Sequence, residues 1–467
     1  MSLVQTINSE ATPLNGQSQY SSKNGSFNII FELTGGANQM IDLRSLRLLG
    51  NIDYLKSNGQ HFNNFNQYGN NIPITGTASG GVDPAYVTAV NPFYDIDARV
   101  GASATIQSVI LEDATNNVLE AIYSYPHLLS KVGPITTSKQ DNLTWTGPIY
   151  GIKSGGKQLQ NQTALNSTNE VSMKLYSGLL QSMPMPMSAV RGVLRLTITL
   201  NAPASVLFGG ANSGANQGVG GTANPASGSF FNMNDVKLVY RTIVMDQDAP
   251  IMKSGYGFKS FSSLQSTINN SNNQNIYNPN ASNAICVMTS FIRSTALNSY
   301  NANSYQSNKL VKQGATPAGE PVDIQSTNFL KNNVRFPNSF PIDERVYNQN
   351  NNGFKSYDAQ RSFYYMSCLK PLDEVDKTLI QPSTEGNGSN QCGGFKEVNE
   401  PDGVPVYGVG IRYANVSLED GTSFMNGMNF LQRIESGLNG TLPNEMFSTV
   451  LSTKKIVATP SGPLVVA

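Results

Sequence analysis

The stretch FNIIFELTGGANQMIDLRSLRLLGNIDY, residues 27–54, carries two successive patterns in which apolar and polar side chains alternate. In the first pattern, the apolar residues at 27, 29, 31 and 33 are separated by Asn28 and Glu32, and Gly35 and Gly36 follow. In the second, one face carries the apolar side chains of Leu46, Leu48, Ile52 and Tyr54. A period of two is typical of β-strands with one buried face, and adjacent glycines favour a turn. The stretch therefore predicts two strands joined by a turn.

The same alternation recurs later in the chain. It is clearest at Leu194–Leu200, and it appears again at Val236–Tyr240. The run Ile285–Ile292 is apolar on both faces apart from Thr289 and Ser290, which predicts an inner strand covered on both sides. Strands therefore dominate the expected secondary structure.

Two short segments have apolar side chains at helical spacing. Leu119, Ile122 and Tyr123 predict a short helix, and Pro126 is expected to end or kink it. The second predicted helix has an apolar stripe formed by Phe424, Met428, Leu431, Ile434 and Leu438. Helices are therefore expected to be few and short.

Long polar segments rich in Asn, Gly, Gln and Ser separate the predicted strands, at residues 56–80, 209–228, 265–284 and 347–356. Short strands joined by long surface loops are typical of β-sandwiches and jelly rolls. The sequence alone therefore indicates an all-β protein.

Charged residues are few and evenly divided. Among 467 residues, 31 are Lys or Arg and 31 are Asp or Glu, which together make 13% of the chain. Folded proteins average about 25%. Direct, sequence-specific nucleic-acid binding is not expected, because such proteins usually carry a basic excess. Copies of a chain with no net charge repel one another only weakly, which suits a subunit that assembles with itself.

The sequence contains no recognisable catalytic constellation. Cys286, Cys368 and Cys392 form neither a C-x-x-C pair nor a metal-ligand spacing, and their odd number argues against a disulfide framework. His61 and His127 lie far from each other and from the cysteines in sequence. No G-x-S-x-G elbow or phosphate-binding loop is present. We therefore predict no catalytic, cofactor-binding or metal-ligating residues, no cofactor, and no enzymatic activity.

Neither a secretory signal nor a membrane span is expected. The N-terminal residues lack a basic start followed by an apolar run, and no stretch reaches the ~18 apolar residues of a spanning helix.

Three segments resemble the double jelly-roll major capsid proteins of virophages, Polinton-like viruses and their larger relatives. Residues 27–54, quoted above, are similar to the opening pair of strands of that family, in which an Ile-Asp-Leu element precedes the second strand. MPMPMSAVRGVLRLTITL, residues 183–200, resembles a proline-marked approach to a late strand of the first barrel. MNDVKLVYRTIVMD, residues 233–246, resembles the strand that closes this barrel. The matching segments occur in family order across about the first half of the chain.

The resemblance implies a fold of two tandem eight-stranded antiparallel jelly rolls with few short helices and long surface loops. The implied organisation is an N-terminal arm at 1–26, a first jelly roll at 27–248, a second at 249–455, and a C-terminal tail at 456–467. The arm and tail are expected to lie outside the barrels, on the inner side of the assembled unit.

The function implied by the resemblance is that of a major capsid protein, located in the virion. Such a protein forms pseudo-hexagonal homotrimeric capsomers that tile the icosahedral shell of a double-stranded DNA virus. Its expected partners are its own copies, neighbouring capsomers, and penton and other minor capsid proteins, with no membrane. We expect trimer contacts to be mostly polar and uncharged, with the loops at 56–80 and 209–228 interlocking.

Two other classes of function remain as alternatives. The Asn- and Gly-rich loops suit a receptor- or carbohydrate-binding viral β-protein of the fibre or lectin type equally well. A β-sandwich hydrolase is the third reading, because catalytic triads assemble in space and leave no fixed sequence order.

Overall fold

A computed structural model gives the structure of this protein. It describes residues 3–25, 27–61, 93–96, 100–136, 169–210, 226–248, 255–268, 274–277, 284–294, 297–300, 304–305, 324–331, 334–336, 342–343, 412–417, 430–436, 444–459 and 462–466.

The first part of the chain, up to residue 248, is built mainly of strands. These are β1 (Leu3–Ala11), β2 (Gln19–Ser21), β3 (Asn28–Thr34), β4 (Gln39–Leu55), β5 (Phe93–Asp95), β6 (Ile106–Asp113), β7 (Val118–Ile122), β8 (Asn169–Met173), β9 (Met185–Pro186), β10 (Val193–Leu200), β11 (Phe208–Gly210) and β12 (Phe230–Met245). The helices α1 (Tyr125–Thr136) and α2 (Pro203–Val206) lie between them, with 3-10 turns at Ser22–Asn24, Gly101–Thr105 and Met187–Val190. We call residues 3–248 the first half.

The described residues from 255 onward also form strands, and we call them the second half. Its strands are β13 (Tyr256–Ile268), β14 (Gln274–Tyr277), β15 (Ala284–Arg293), β16 (Ile324–Lys331), β17 (Val334–Phe336), β18 (Ile342–Asp343), β19 (Arg412–Ser417), β20 (Phe430–Ser436), β21 (Asn444–Thr459) and β22 (Gly462–Val466). The all-β class predicted from the sequence is therefore confirmed.

The strands form two large sheets and two smaller ones. One large sheet has the order β1-β12-β4-β8, with β2 also paired to β12 and β9 to β4. The other has nine strands, in the order β19-β15-β21-β13-β7-β6-β10-β3, with β22 paired to β21. A five-stranded sheet in the second half has the order β14-β20-β16-β17, with β18 on β16, and β5 and β11 form a separate pair. The nine-stranded sheet thus contains strands of both halves.

The core of the first half lies between the two large sheets. Strand β10 runs between β3 and β6, where Leu196 lies opposite both Phe31 and Leu111. Every second side chain of β10 is buried. These side chains join the inward-facing residues of β4 and β12 in one hydrophobic cluster. Burial of one such side chain stabilises the fold by about 1.5–3 kcal/mol, so the period-two pattern largely determines how the sheets stack.

The strands predicted from alternation are all present. Residues 28–34, 39–55, 193–200 and 230–245 are strands, and their buried positions include the apolar residues on which the predictions rested. The apolar run beginning at Ile285 is β15, which lies between β19 and β21 and is therefore an inner strand of its sheet.

The helix predicted at Leu119–Tyr123 is wrong. Residues 118–122 form β7, and the helix begins afterwards, at Tyr125. Pro126 lies in the first turn of α1 and does not end a helix. The missing N–H of proline is tolerated there, because the first N–H groups of a helix have no intrahelical acceptor.

The second predicted helix is also contradicted where the structure describes it. Residues 430–436 form β20, which pairs with β14 on one side and β16 on the other. The rest of the predicted stripe, including Phe424 and Met428, lies outside the described residues. A short apolar run fits either period, so pairing with two neighbouring strands decides the outcome.

The predicted N-terminal arm is in fact part of a sheet. Residues 3–11 form β1, which pairs along its length with β12. Most of the described β1 side chains are exposed, so the strand is held by backbone pairing and by contacts such as Ser9 Oγ to Thr242 Oγ1 at 2.8 Å. An edge strand of this kind needs no buried apolar face, which is why the sequence shows no alternation there.

The predicted C-terminal tail is likewise paired. Strand β21 continues through the expected boundary at residue 455 to Thr459, and β22 folds back onto it. Gly462, the first residue of β22, has φ +115°, a backbone conformation that favours glycine.

The long polar segments are partly ordered into strands. Residues 265–268 of the predicted loop at 265–284 belong to β13, and residues 274–277 form β14. The segment at 56–80 begins with a tight turn closed by Lys56 N to Gln60 O at 2.8 Å. Residues 62–92, 211–225 and 347–356 lie outside the described residues.

The alternation along β10 predicts an asymmetric response to substitution. Leu196→Ala should lower the free energy of unfolding by about 2–5 kcal/mol, because it leaves a cavity between the sheets. Thr197→Ser, on the opposite face of the same strand, should change it by about 0.5 kcal/mol or less. Chemical denaturation of both variants measures these values. Equal losses would contradict the assignment of the two faces.

Candidate functional site at the junction of the two halves

The two halves meet where β7 and β13 lie side by side in the nine-stranded sheet. The two strands are parallel and share a single register pair, Ala121 with Ser262. One residue earlier on each strand are Glu120 and Phe261. Such a short strand contact provides little backbone pairing, so side chains must supply much of the adhesion.

Glu120 supplies a charged link across this junction. Its side chain is buried, at 1% exposure, and its carboxylate accepts four hydrogen bonds. The donors are the Ser177 hydroxyl and the backbone N–H groups of Gly178 at 3.0 Å, Leu179 at 3.0 Å and Phe261 at 2.5 Å. The first three donors belong to the loop after β8 in the first half, and the fourth belongs to β13. One carboxylate therefore joins β7, a loop of its own half, and a strand of the other half.

The electrostatics of Glu120 reflect two opposed effects. Burial raises the pKa of the carboxyl, because an ion loses solvation away from water, whereas the four hydrogen bonds lower it. Burial has the larger effect, so the pKa is raised overall. The four hydrogen bonds offset much of the cost of burying the carboxylate. A buried ion without partners would cost several kcal/mol.

Lys454 of β21 is the neighbouring cation. Its Nζ donates to the backbone oxygen of Leu119 at 3.0 Å. Burial lowers the pKa of Lys454, and the negative charge of Glu120 partly counteracts that effect. The lysine therefore adds a second link between β7 and the second half, and it places a positive charge beside the carboxylate.

The loop that donates to Glu120 approaches β13 too closely for a side chain at Gly178. A Cβ there would lie 2.5 Å from the backbone oxygen of Lys259 and 2.9 Å from the nitrogen of Ser260. Both neighbours are backbone atoms, which cannot rotate away. Glycine is therefore required at residue 178 for the halves to meet in this geometry.

Among the described residues, further hydrogen bonds between uncharged groups also cross the junction. They run from Tyr256 Oη to Met183 O at 2.6 Å, from Asn201 Nδ2 to Tyr305 Oη at 2.7 Å, and from Tyr300 Oη to Ser229 O at 2.7 Å.

Of the two histidines, His127 lies in the junction. It is buried on α1, and its ring stacks on Phe447 with centroids 3.6 Å apart and planes at 8°. It also meets Tyr305 edge-on at 5.0 Å. The ring thus packs between aromatic side chains of the second half. His61 follows β4 and pairs with Leu55 in an isolated bridge, so the structure does not bring the two histidines into one site.

Of the three cysteines, one lies among the described residues. Cys286 lies on β15, whereas Cys368 and Cys392 lie outside the described residues. Among the residues that the structure describes, no group of three or more His, Cys, Asp or Glu side chains could hold a metal ion. Within the same part of the chain, neither helix has the length and apolar character needed to cross a membrane.

The sequence analysis missed the junction, and with it Glu120. The signal available was a single acidic residue inside the apolar segment Val118–Ile122. In a helix that residue would face solvent, so the incorrect helix assignment concealed its burial.

Comparison with known proteins gives matches by structure alone. No family model and no curated protein matches the sequence. A quasi-atomic model of the PBCV-1 virus capsid aligns with 99% of this chain and 96% of its own chain, at 9% identity and a TM-score of 0.50. The crystal structure of the mavirus major capsid protein aligns with 98% of this chain and 90% of its own, at 9% identity and a TM-score of 0.41. The cryo-EM structure of the Sputnik virophage gives 99% and 88%, at 12% identity and a TM-score of 0.41.

The likeness to the PBCV-1 capsid structure extends over nearly the whole of both chains. Together with the two sets of strands described above, it defines this chain as a double jelly-roll protein. The fold that the sequence resemblance implied is therefore confirmed.

The close approach at Gly178 gives the first prediction for the junction. Gly178→Ala should destabilise the protein by about 1–3 kcal/mol, because the added methyl group must push β13 away. Gly257→Ala is the matched control, since a Cβ at this β13 residue would meet nothing within 4 Å. Thermal or denaturant unfolding measures both. A Gly178 variant as stable as the control would show that the two halves can separate without loss.

The raised pKa of Glu120 gives the second prediction. The folded protein holds this proton more tightly than the unfolded chain, whose carboxyl has a pKa near 4.5. The resulting stabilisation is complete below the unfolded-state pKa and is lost as the pH rises through the folded-state pKa. The free energy of unfolding of the wild type, minus that of Glu120→Gln, should therefore fall as the pH rises above the unfolded-state pKa near 4.5.

Urea denaturation of both proteins across this pH range tests the prediction. Taking the difference removes the titration of groups that do not interact with Glu120. The pKa values of Lys454 and Tyr125 depend on the charge of Glu120, so their titration contributes to the difference. A difference that rises with pH would mean that hydrogen bonding outweighs burial at Glu120.

Proposed function

We propose that this chain is the major capsid protein of an icosahedral double-stranded DNA virus. The observation that carries the proposal is the joining of two strand-rich halves through one nine-stranded sheet, with Glu120 linking them at the junction. Such a junction makes a double unit of fixed shape. The full-length likeness to the PBCV-1 capsid structure supports the same function.

The double unit consists of a first jelly roll at residues 27–248 and a second at 249–455. Strands β1 and β2 add to a sheet of the first, and the end of β21 and β22 add to a sheet of the second. The first comprises the sheet containing β4 and β12, facing β3, β10, β6 and β7. The second comprises β13, β21, β15 and β19, with the five-stranded sheet centred on β16 and β20. The chain passes from the first jelly roll to the second between β12 and β13. The two jelly rolls also meet where β7 pairs with β13.

The proposed assembly is a homotrimer of such units. Three copies of a double unit give six similar barrels around one axis, which is a pseudo-hexagonal shape that tiles a flat facet. The equal numbers of acidic and basic residues support self-association, because copies of the chain repel one another weakly at neutral pH. Neighbouring capsomers, penton proteins and other minor capsid proteins are the proposed partners, and the virion is the proposed location. The role is structural and requires no enzymatic activity.

Measurement of the oligomeric state tests this function. Mass photometry of the purified chain should show a species of three times the 50.3-kDa chain mass. The trimer should persist up to ~1 M salt, because hydrogen bonds and apolar contacts respond to salt much less than ion pairs do. Negative-stain electron microscopy should show it as a pseudo-hexagonal particle.

Two results would argue against the proposal. A monomer at every salt concentration would contradict it. A monomer that binds glycans on an array would favour the carbohydrate-binding alternative.

A further inference from the structure

Strand β1 leaves one edge of its sheet without a partner in the part of the chain that the structure describes. It lies at the end of the order β1-β12-β4-β8, with β12 on one side of it. Among the described residues, none of the backbone hydrogen bonds formed outside the strand pairings involves residues 3–11. An edge strand presents a row of backbone N–H and C=O groups that point away from its neighbour. Those of β1 are therefore free to bind a further strand.

The chain covers the edge of another end strand of the first half, β3. This strand ends the order of the nine-stranded sheet. The N–H of Leu14 donates to the backbone oxygen of Ile30 at 2.8 Å, and Asn15 Nδ2 donates to the backbone oxygen of Asn28 at 3.1 Å. The segment that follows β1 therefore lies along β3, whereas β1 itself stays open.

The sequence of β1 lacks the features that keep an exposed edge from pairing. LVQTINSEA contains neither proline nor lysine, and its register with β12 is regular from Gln5 to Ala11. Natural sheets protect their edges with such residues or with bulges, because an open edge recruits other strands. A regular and unprotected edge of this length indicates that a partner strand covers it.

The side chain of Ile7 shows where a partner strand would bury apolar surface. Ile7 lies opposite Thr242 of β12, and Thr242 is buried. Residues directly opposite each other share one face of a sheet, so Ile7 is on the core-facing side. It is nevertheless 39% exposed, because the described sheet ends at β1. A strand added beside β1 would cover this side chain.

Strand β1 is suited to pairing with a second copy of itself. When two copies run antiparallel with Ile7 opposite Ile7, Gln5 of each copy lies opposite Ser9 of the other. The one charged residue of the strand is Glu10, which already pairs with Lys237 at 3.1 Å. In this register the two copies of Glu10 are six residues apart along the strands, or about 20 Å. This distance exceeds the Debye length of about 10 Å at 0.1 M salt, so the charges do not oppose the pairing.

We propose that β1 pairs with β1 of a second copy of this chain, antiparallel and about a two-fold axis at Ile7. Backbone hydrogen bonds would continue the sheet from one copy into the next, and each Ile7 would cover the other. A two-fold contact joins the same surface of both copies, whereas contacts around a three-fold axis join different surfaces. In the proposed capsid the contact would therefore lie between neighbouring trimers. That location rests on the proposed function, and the pairing itself does not.

A single pair of strands is a small contact. Interfaces of stable complexes bury about 1,200–2,000 Å², which is more than the edge of one nine-residue strand provides. The pairing is therefore weak between two free copies, and it gains strength where many copies are held side by side.

Oxidative cross-linking of the full-length protein tests the pairing, because it traps weak contacts. Ile7→Cys should give a covalent dimer of twice the 50.3-kDa chain mass on a non-reducing gel. Opposed residues in adjacent strands have Cβ atoms about 4.5–5.5 Å apart, which is close to the spacing in a disulfide. Glu10→Cys is the matched control on the same strand, and it should give at least about tenfold less dimer because its two copies lie too far apart. The unchanged chain measures the background from its three native cysteines.

A charge at the centre of the edge should weaken the pairing. Ile7→Lys places two like charges opposite each other at the two-fold axis, and it should weaken the association of copies at least about tenfold. Val118→Lys is the matched control, because Val118 is also β-branched and exposed but lies on β7, in the other large sheet. It should leave the association unchanged. Sedimentation velocity over a range of protein concentrations measures both variants.

Three results would overturn the proposal. One is a yield of Ile7→Cys dimer no higher than that of Glu10→Cys, and another is association that persists in Ile7→Lys. The third is cross-linking of Ile7→Cys in preference to a mixed-in Glu170→Cys copy, since β8 would then be the partner strand. Mass photometry of Ile7→Lys reports the trimer separately, so failure of this pairing is distinguishable from failure of the proposed function.

Discussion

The arrangement of the two halves depends on one buried carboxylate. An ionisable group is retained in a protein interior only where hydrogen bonds or charges replace its lost solvation. Glu120 meets that condition through donors from a loop of its own half and from Phe261 of the other. Because every donor must be within hydrogen-bond distance at once, the carboxylate fixes the position of β13 relative to β7. The close backbone approach at Gly178 follows from the same requirement.

The rest of the junction is consistent with the low charge of the chain. Apart from Glu120 and Lys454, the polar and aromatic contacts described between the halves include hydrogen bonds of Tyr and Asn side chains and the packing of the His127 ring against Phe447 and Tyr305. Uncharged contacts of this kind lose less solvation energy on burial than ion pairs do. A double unit fixed in this way has a defined outline, which the proposed capsid function would require.

The sequence predicted the strands of the first half well, because their alternation records burial on one face of a sheet. Leu194–Leu200 shows this most clearly, with every second residue buried. Prediction failed where pairing, and not side-chain burial, determines structure. Strand β1 has mostly exposed side chains and is held by β12, and β20 is a strand because two neighbours pair with it.

The junction could not be predicted because its partners are distant in the chain. Glu120 and Phe261 are separated by more than a hundred residues, as are Lys454 and Leu119. No local pattern marks such pairs. A single acidic residue in an apolar segment was the available signal, and it indicates burial only once that segment is known to be a strand. The prediction that Pro126 ends or kinks a helix was wrong for a related reason. Proline is compatible with the start of a helix as well as with its end.

Amide hydrogen exchange at the junction tests the central claim most directly, namely that Glu120 joins the halves into one cooperative unit. The N–H groups of Gly178, Leu179 and Phe261 all donate to this carboxylate, so they can exchange only when the junction opens. The account predicts that they exchange as slowly as the core amides of β10, through global unfolding of the protein. If they exchanged orders of magnitude faster while β10 stayed protected, the halves would separate independently, and the claim would be contradicted.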